Sequence, residues 1–375
     1  MDISIAREES LNENRVALTP GAVRSLVRAG HNIYIQTGAG NNAGFSDEKY
    51  IEVGAKIVFS KDEAYKRGQM LVKVFPPTNE EFKLLNENQV VFSYLYLVTA
   101  HEEGLAVLRE RNILAIGMEN IEDSNANLPI LTPMSELAGQ MAIPIASHYL
   151  SNAGGGRGIL LGGAAGVPPA SVAVLGAGTV GLNAVRVARG LGCNVILFDS
   201  SLDRLRHAND LFCKQLITYL PHRYNIEKVL PFTDVVIGAA LIHGELTPKL
   251  VSEDIVKRMK PGSVIIDVSI DQGGCVETSR PTSWTSPVYK VHGVTHFCVP
   301  NMPSNVGRTA TYALSNATLP YLMTIAGLGV STAIYGDPGL GKGVYTYKGH
   351  ITNQALAKRF KLNHTPLSGI LDKGE

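Results

Sequence analysis

Three glycines, Gly176, Gly178 and Gly181, stand at the spacing G-x-G-x-x-G in SVAVLGAGTVGLNAVRVARGLGCNVILFDSS, and Asp199 ends the stretch. An apolar strand precedes them, a helical stretch follows, and a second apolar strand leads to the acid. Each glycine has a mechanical reason in a dinucleotide site: a tight turn, backbone approach to a pyrophosphate, and close helix–strand packing. The helix start offers N–H groups and partial positive charge to phosphates. Asp199 suits both ribose hydroxyls and would repel a 2′-phosphate, so NAD is expected rather than NADP. A glycine turn that binds nothing is the simpler account of the glycines alone; strand, turn, helix, strand and acid in sequence argue against it. Arg204 lies either near the adenosine or in solvent on a helix.

Four further groups suit chemistry on a small polar substrate. In IIDVSIDQGGCVETSRPT, Asp267 and Asp271 sit at and beyond the carboxyl end of an apolar strand, where open α/β sheets bind ligands. Asp267 reads as a turn or cap aspartate, and Asp271, beside two glycines, as a functional one. Arg15 lies in ENRVALTP, and Lys73 interrupts the apolar run MLVKVF. A lysine in such a run must be paired or must face a pocket. The two cations either grip a carboxylate or are a surface arginine and an edge-strand lysine. Glu119 is a candidate counter-ion for Lys73. In FSYLYLVTAH, Tyr94 and Tyr96 share one face of a strand, and His101 follows where a helix is expected to begin. His101 reads as a cap or solvent-facing residue.

The elements that position these groups alternate. Strands are expected at ISIAR, NIYIQTG, AKIVF, MLVKVF, VVFSYLYL and ILAIG, with helices at GAVRSLVRAG and EEGLAVLRERN. A second series runs through SVAVL, NVILFDSS, KQLITYL, DVVIGAA, SVIIDVS and YKVHGV. Alternation of this kind predicts parallel sheets with helices on both faces. Between the series lies one long, mostly buried helix over 134–152, despite Pro144 within it, and then the irregular GGGRGILLGGAAGVPP. After residue 305 helices return in ATYALSNATLPYLMTIAG and ITNQALAKRF. The fold class is therefore α/β, with two Rossmann-like doubly wound domains, one inserted in the other and linked by long helices. The expected boundaries are 1–132 with 306–375 for a substrate domain, and 133–305 for an NAD-binding domain.

Bulk numbers narrow the function. The chain has 375 residues, 45% hydrophobic and 18% charged, which is ample for large cores. A formal net charge of +1 gives no basic surface for nucleic acid or an anionic membrane. Apolar runs are short, and MDISIAREES lacks the cationic and apolar segments of a signal peptide. The four cysteines show no metal-binding spacing and are expected as reduced thiols. No metal site is expected.

The whole chain resembles the alanine dehydrogenases and, more distantly, the cofactor-binding subunit of proton-translocating transhydrogenase. ENRVALTP, PMSELAGQMA, LLGGAAGVPPA, VLGAGTVGLNA, MKPGSVIIDVSIDQGGCVETSRPT, NMPSNVGRTATYALSNATLPY and TYKGHITNQALA carry the likeness. It implies NAD, interconversion of an amino acid with its 2-oxo acid and ammonia, a homohexamer and a cytoplasmic location. The family's carboxylate-binding arginine falls on Arg15, its substrate lysine on Lys73 and its active-site aspartate on Asp271. Its cofactor residues fall on Ser135, Gly176, Gly178, Gly181, Asp199 and Arg204, with Asn301 near the nicotinamide.

Tyr96 breaks the pattern, since the family usually has a histidine there that hydrogen-bonds the substrate carbonyl and shuttles the proton. Smaller departures are ValPhePro after Lys73, Met118, Pro300, and Gly307 where proline is usual. The resemblance implies oxidative deamination of L-alanine, with Arg15 and Lys73 on the carboxylate, Asp271 on the attacking water and Tyr96 donating to the carbonyl or carbinolamine oxygen. Two other readings stay open: a related dehydrogenase for another amino acid, and an NAD-binding homologue with low activity.

Overall fold

The computed structural model describes residues 1–10, 12–98, 102–240 and 247–371; His101 lies outside them. The chain divides into two units, one of Met1–Met134 with Ser304–Glu375, the other of Ser135–Pro303. Among the described residues, fifteen strands follow in chain order. In the first unit they are β1 (Asp2–Ile5), β2 (Asn32–Gln36), β3 (Lys56–Val58), β4 (Met70–Val72), β5 (Val90–Ser93) and β6 (Leu114–Gly117). The second unit holds β7 (Ser171–Leu175), β8 (Asn194–Phe198), β9 (Ile217–Tyr219), β10 (Val235–Gly238), β11 (Val264–Asp267), β12 (Val288–Val291) and β13 (Val294–Phe297). Back in the first unit, β14 (Val344–Tyr347) and β15 (His350–Ile351) complete the set.

The first sheet has the order β15-β14-β6-β5-β4-β1-β2-β3. Its strands β1 to β6 are parallel, and β14 joins the β6 edge antiparallel. The second sheet has the order β12-β13-β11-β10-β7-β8-β9, parallel except for the edge strand β12. Both sheets are doubly wound, and the strand order reverses beside β1 in one and beside β7 in the other. Ligands in such sheets bind at that switch point, beyond the carboxyl ends of the strands.

The strands form where the sequence is apolar on both faces, as sheets covered by helices on both sides require. β4, β5, β6, β10 and β11 are buried at every position. The crossover helices begin where local chemistry caps them. Thr19 accepts from the Ala22 N–H ahead of the helix Pro20–Arg28, which has proline at its start, and Ser60 caps Lys61–Arg67. One helix, Leu131–Leu150, runs through Pro144. The glycine-rich segment after it forms turns, with Gly155, Gly158, Gly163 and Gly166 at positive φ.

Three expectations need correction. The strand at MLVKVF stops at Val72, so Lys73 stands just past the end of β4. The strand at FSYLYL stops at Ser93, and Tyr96 takes φ 43°. The stretch YKVHGV is a hairpin rather than one strand: His292 and Gly293, at φ 50° and 78°, turn β12 into β13. A second hairpin in the C-terminal region turns at Lys348 and Gly349, at φ 48° and 76°. Positive φ at both central residues matches the right-handed twist of flanking strands. Among the described residues no helix is long and apolar enough to cross a membrane.

Candidate functional site

In the second unit the fingerprint glycines lie between β7 and the helix Thr179–Gly190. Gly176 has φ 116°, and a Cβ on it would sit 2.4 Å from the Ala239 carbonyl oxygen at the end of β10. A Cβ on Gly181 would lie 1.8 Å from the Gly176 carbonyl oxygen. Neither position accepts a side chain without backbone movement. Gly178 differs: a Cβ there would meet no protein atom within 4 Å, and no side chain caps the helix it begins. That leaves an open approach to backbone N–H groups at a positive helix end.

Asp199 follows β8 and is buried. Its carboxylate accepts from the N–H of Ala177 at 2.7 Å and of Ser201 at 2.8 Å, which fixes it against the glycine turn. Arg204 reaches it at 3.9 Å from a largely exposed position. Ser135 is half-buried on the long helix. One turn further on, a Cβ on Gly139 would sit 2.2 Å from the Val180 carbonyl oxygen, so this helix packs directly on the fingerprint helix. The open Gly178 position, the uncapped helix start and the anchored acid fit a dinucleotide with a free 2′-hydroxyl.

Asp271 lies exposed in the short turn Val268–Gln272 after β11. Its Oδ1 accepts the Asn301 N–H at 3.0 Å, and Asn301 itself takes φ 51°. The structure therefore brings these two expected site residues together. Asp267 is buried, and its carboxylate accepts from the N–H groups of Cys275 at 3.0 Å and Val276 at 3.3 Å. Burial pushes its carboxyl above the usual carboxylate range, against the pull of those hydrogen bonds. Asp267 thus ties down the loop that Asp271 begins. Gly273 and Gly274 are required there at φ 92° and 76°, and a Cβ on Gly274 would lie 2.7 Å from Asp267 Oδ2. Lys249 holds the same loop from outside, donating to the carbonyl oxygens of Gly273, Gly274 and Val276 at 2.6, 2.9 and 3.3 Å.

In the first unit, a polar cleft of about 510 Å³ is lined by Arg7, Glu8, Glu13, Arg15 and Asn41, among others. It opens where the chain leaves the carboxyl end of β1, at the switch point. Arg15 is buried. Glu13 holds one edge of its guanidinium, with Nε to Oε1 at 2.8 Å and Nη2 to Oε2 at 2.7 Å. Nη1 reaches Met134 Sδ at 3.2 Å, and the Phe75 ring lies 5.8 Å from the guanidinium carbon.

Lys73 is only 1% exposed and does not line the cleft. Its ammonium lies 3.5 Å from Glu8 and 3.6 Å from Glu81, with the Tyr65 ring 5.8 Å away. Of the two alternatives for a lysine in an apolar run, the structure takes pairing. Its acid partners are Glu8 and Glu81, not the Glu13 that holds Arg15. Glu119 is not its partner either. The Glu119 carboxylate accepts from Leu95 N–H at 3.1 Å, Tyr96 N–H at 2.7 Å and Tyr345 Oη at 2.7 Å.

Tyr94 is buried, and its hydroxyl donates to the Ile130 carbonyl oxygen at 2.9 Å. Tyr96 is 38% exposed, and its ring stacks on that of Tyr94 with centroids 6.0 Å apart. Their shared face survives, through a left-handed residue rather than strand alternation. Met118 is fully buried. Gly307 has its own cause: a Cβ would sit 2.6 Å from the Asn14 carbonyl oxygen. His296, fully buried between Thr278 Oγ1 at 2.8 Å and the Val294 carbonyl at 3.0 Å, is a core histidine.

Comparison with known proteins decides the family. The model of the alanine dehydrogenase/PNT N-terminal domain matches residues 4–138, and that of the C-terminal domain matches 142–354. The chain belongs to the alanine dehydrogenase/PNT family. It is 42% identical over 374 residues to an alanine dehydrogenase of Methanococcus maripaludis, covering 100% of both chains. It is 39% identical to one of Mycobacterium tuberculosis, covering 99% of this chain and 100% of the relative. A solved L-alanine dehydrogenase superposes with a TM-score of 0.92 at 42% identity, covering 96% of this chain and 99% of the other. A transhydrogenase from Sinorhizobium meliloti shares the fold, with a TM-score of 0.80 at 24% identity over 95% of this chain and 100% of that one.

Within this alanine dehydrogenase/PNT chain, sequence reasoning missed the partners more than the principals. Glu8 and Glu81 hold Lys73, Glu13 holds Arg15, and Lys249 holds the Asp271 loop. One signal was available. TNEE carries the capping-box spacing, and Thr78 and Glu81 do form that box, which turns the Glu81 carboxylate inward.

Proposed function

We propose that this chain catalyses the reversible oxidative deamination of L-alanine to pyruvate and ammonia with NAD. The observation that carries the reading is Arg15, a buried and oriented guanidinium lining a polar cleft at the switch point of the first sheet. A fork of N–H donors is the group of choice for a small carboxylate. Membership of the alanine dehydrogenase/PNT family supports the substrate and the cofactor. On this reading the first unit is the substrate domain and the second the NAD domain. A homohexamer and a cytoplasmic location belong to the same proposal.

Bound NAD would supply the hydride acceptor for the substrate's C2. Gly176, Gly178 and Gly181 would admit its pyrophosphate, Asp199 would accept from the ribose hydroxyls, and Ser135, Arg204 and Asn301 would complete the binding set. Arg15 grips the substrate carboxylate, with Glu13 fixing the angle of its guanidinium. Asp271, held by the Asn301 N–H, takes a proton from the water that attacks the imine carbon. Tyr96 donates a hydrogen bond to the carbonyl oxygen and, as the phenolate, takes the hydroxyl proton of the carbinolamine. Lys73 acts from inside, holding Glu8 and the end of β4 in place beside the cleft.

The test is reductive amination of a panel of 2-oxo acids with ammonia and NADH. Pyruvate should give the highest kcat/KM, and NADPH should serve poorly. A second reading, deamination of a different amino acid, is favoured by the aromatic ring of Phe75 beside this arginine. A larger 2-oxo acid outperforming pyruvate would establish it. Binding of NADH with no turnover of any panel member would favour a homologue of low activity.

Tyr96 makes a further prediction about pH. A phenol titrates near about 10 in water and an imidazole near about 6.5. Proton transfer is fastest with a group whose pKa lies near the working pH. Deamination by this chain should therefore have an alkaline optimum, and Tyr96→His should move the optimum toward neutrality. A wild-type profile governed by an essential base near 6.5 would contradict the role of Tyr96.

A further inference from the structure

The backbone at Tyr96 is in a conformation its side chain disfavours. A bulky residue at φ 43° is an outlier for an L-amino acid. Such a residue persists only when its surroundings over-determine it. Here the surroundings are specific. Glu119 follows β6, the neighbour of β5, in the short turn Met118–Asn120. Its two carboxylate oxygens accept from two successive N–H groups, Leu95 and Tyr96. The hydroxyl of Tyr345, on the neighbouring strand β14, donates to the same oxygen that Tyr96 uses.

The contact is built closely. A Cβ on Gly117 would lie 2.4 Å from the Tyr345 ring and 2.8 Å from Glu119 Oε1, so only glycine leaves room for both. Glu119 is 4% exposed, while the Tyr96 side chain beyond the clamp remains accessible. Tyr94, anchored through its hydroxyl to Ile130, presents its ring to the Tyr96 ring at an interplanar angle of 13°. The main chain of Tyr96 is thus held by a carboxylate and its ring by a fixed aromatic plane.

We propose that Glu119 is a positioning residue for Tyr96, its carboxylate imposing the left-handed turn that presents the phenol to substrate. Tyr345 is the brace that sets the angle of that carboxylate. The inference rests on the reading that Tyr96 acts on the substrate oxygen. It adds that this action depends on a buried acid which touches neither substrate nor cofactor.

Glu119→Gln keeps the shape but replaces one acceptor oxygen with an NH₂ facing a backbone N–H. With L-alanine and NAD saturating, kcat should fall about 10- to 100-fold, the scale of a misplacement near 1 Å. The KM for NAD should stay within about twofold, because the cofactor set lies elsewhere. Tyr345→Phe should lower kcat in the same direction and less, and it carries the test if the glutamine variant does not fold. The decisive readout is non-additivity. Placed in a Tyr96→Phe background, Glu119→Gln or Tyr345→Phe should cost less than about a further twofold. A full, additive loss in that background would overturn the inference and leave Glu119 a structural acid. So would a lowered melting temperature with kcat unchanged. Tyr96→Phe at the wild-type rate would instead sink the role of Tyr96, and the inference with it, while leaving alanine turnover intact.

Discussion

Asp271→Asn is expected to leave NAD binding unchanged and to lower kcat by a factor of about 100 to 10,000, the range that a positioned general base supplies. The amide keeps the size of the side chain and can still accept the Asn301 N–H at Oδ1, so the loop geometry should hold. What it removes is the negative charge that takes the proton of the attacking water. The loop itself is secured independently of Asp271. Asp267 binds it from the core side and Lys249 from the surface, through separate backbone groups. Loss of activity in this variant would therefore report chemistry rather than a collapsed loop. Binding is read by NADH fluorescence and turnover by steady-state rate. A near-normal kcat would remove Asp271 from the mechanism.

Lys73→Met should strongly destabilise the first unit. It leaves Glu8 and Glu81 buried without their common cation. Breaking a buried ion pair on one side costs about 3–5 kcal/mol, because an uncompensated charge stays behind. The pH dependence follows from Glu8. Burial raises its carboxyl above the usual range, and Lys73 pulls it back down. Without Lys73 the folded-state value rises further above the unfolded one. A group raised on folding favours the folded state below its unfolded pKa and loses that advantage as pH rises through its folded pKa. The deficit of the variant should therefore be largest at neutral and alkaline pH and should shrink in acid, where Glu8 takes up a proton. Urea unfolding at several pH values measures this. A loss below about 1 kcal/mol at neutral pH would show that the pairing is dispensable.

These two residues also show what could be read in the sequence. Asp271 was legible because its cues are local: an apolar strand, then an aspartate beside two glycines. The fingerprint was legible for the same reason, and each strand expected at an unbroken apolar run exists within a few residues. Lys73 was legible only as a problem, a charge in an apolar run that needed a partner. Its partners come from the end of β1 and from a capping box, 65 positions before it and 8 after it in the chain, and only the fold brings them together. The strand ends failed for a related reason. Period-two patterning carries on through FSYLYL, but Glu119 captures two N–H groups there and turns the chain out of the sheet. The hairpins at HisGly and LysGly were missed although both carry turn chemistry, because expectation favoured strands separated by helices.

The most direct measurement of the central claim is the fate of the hydrogen on the substrate's C2. L-alanine deuterated at C2 is incubated with the protein and NAD, and the NADH formed is weighed by mass spectrometry alongside the pyruvate and ammonia released. The account predicts NADH one mass unit heavier, formed in step with pyruvate and ammonia, and little reduction of NADP under the same conditions. Deuterium retained in the amino acid, with NAD bound but not reduced, would contradict it.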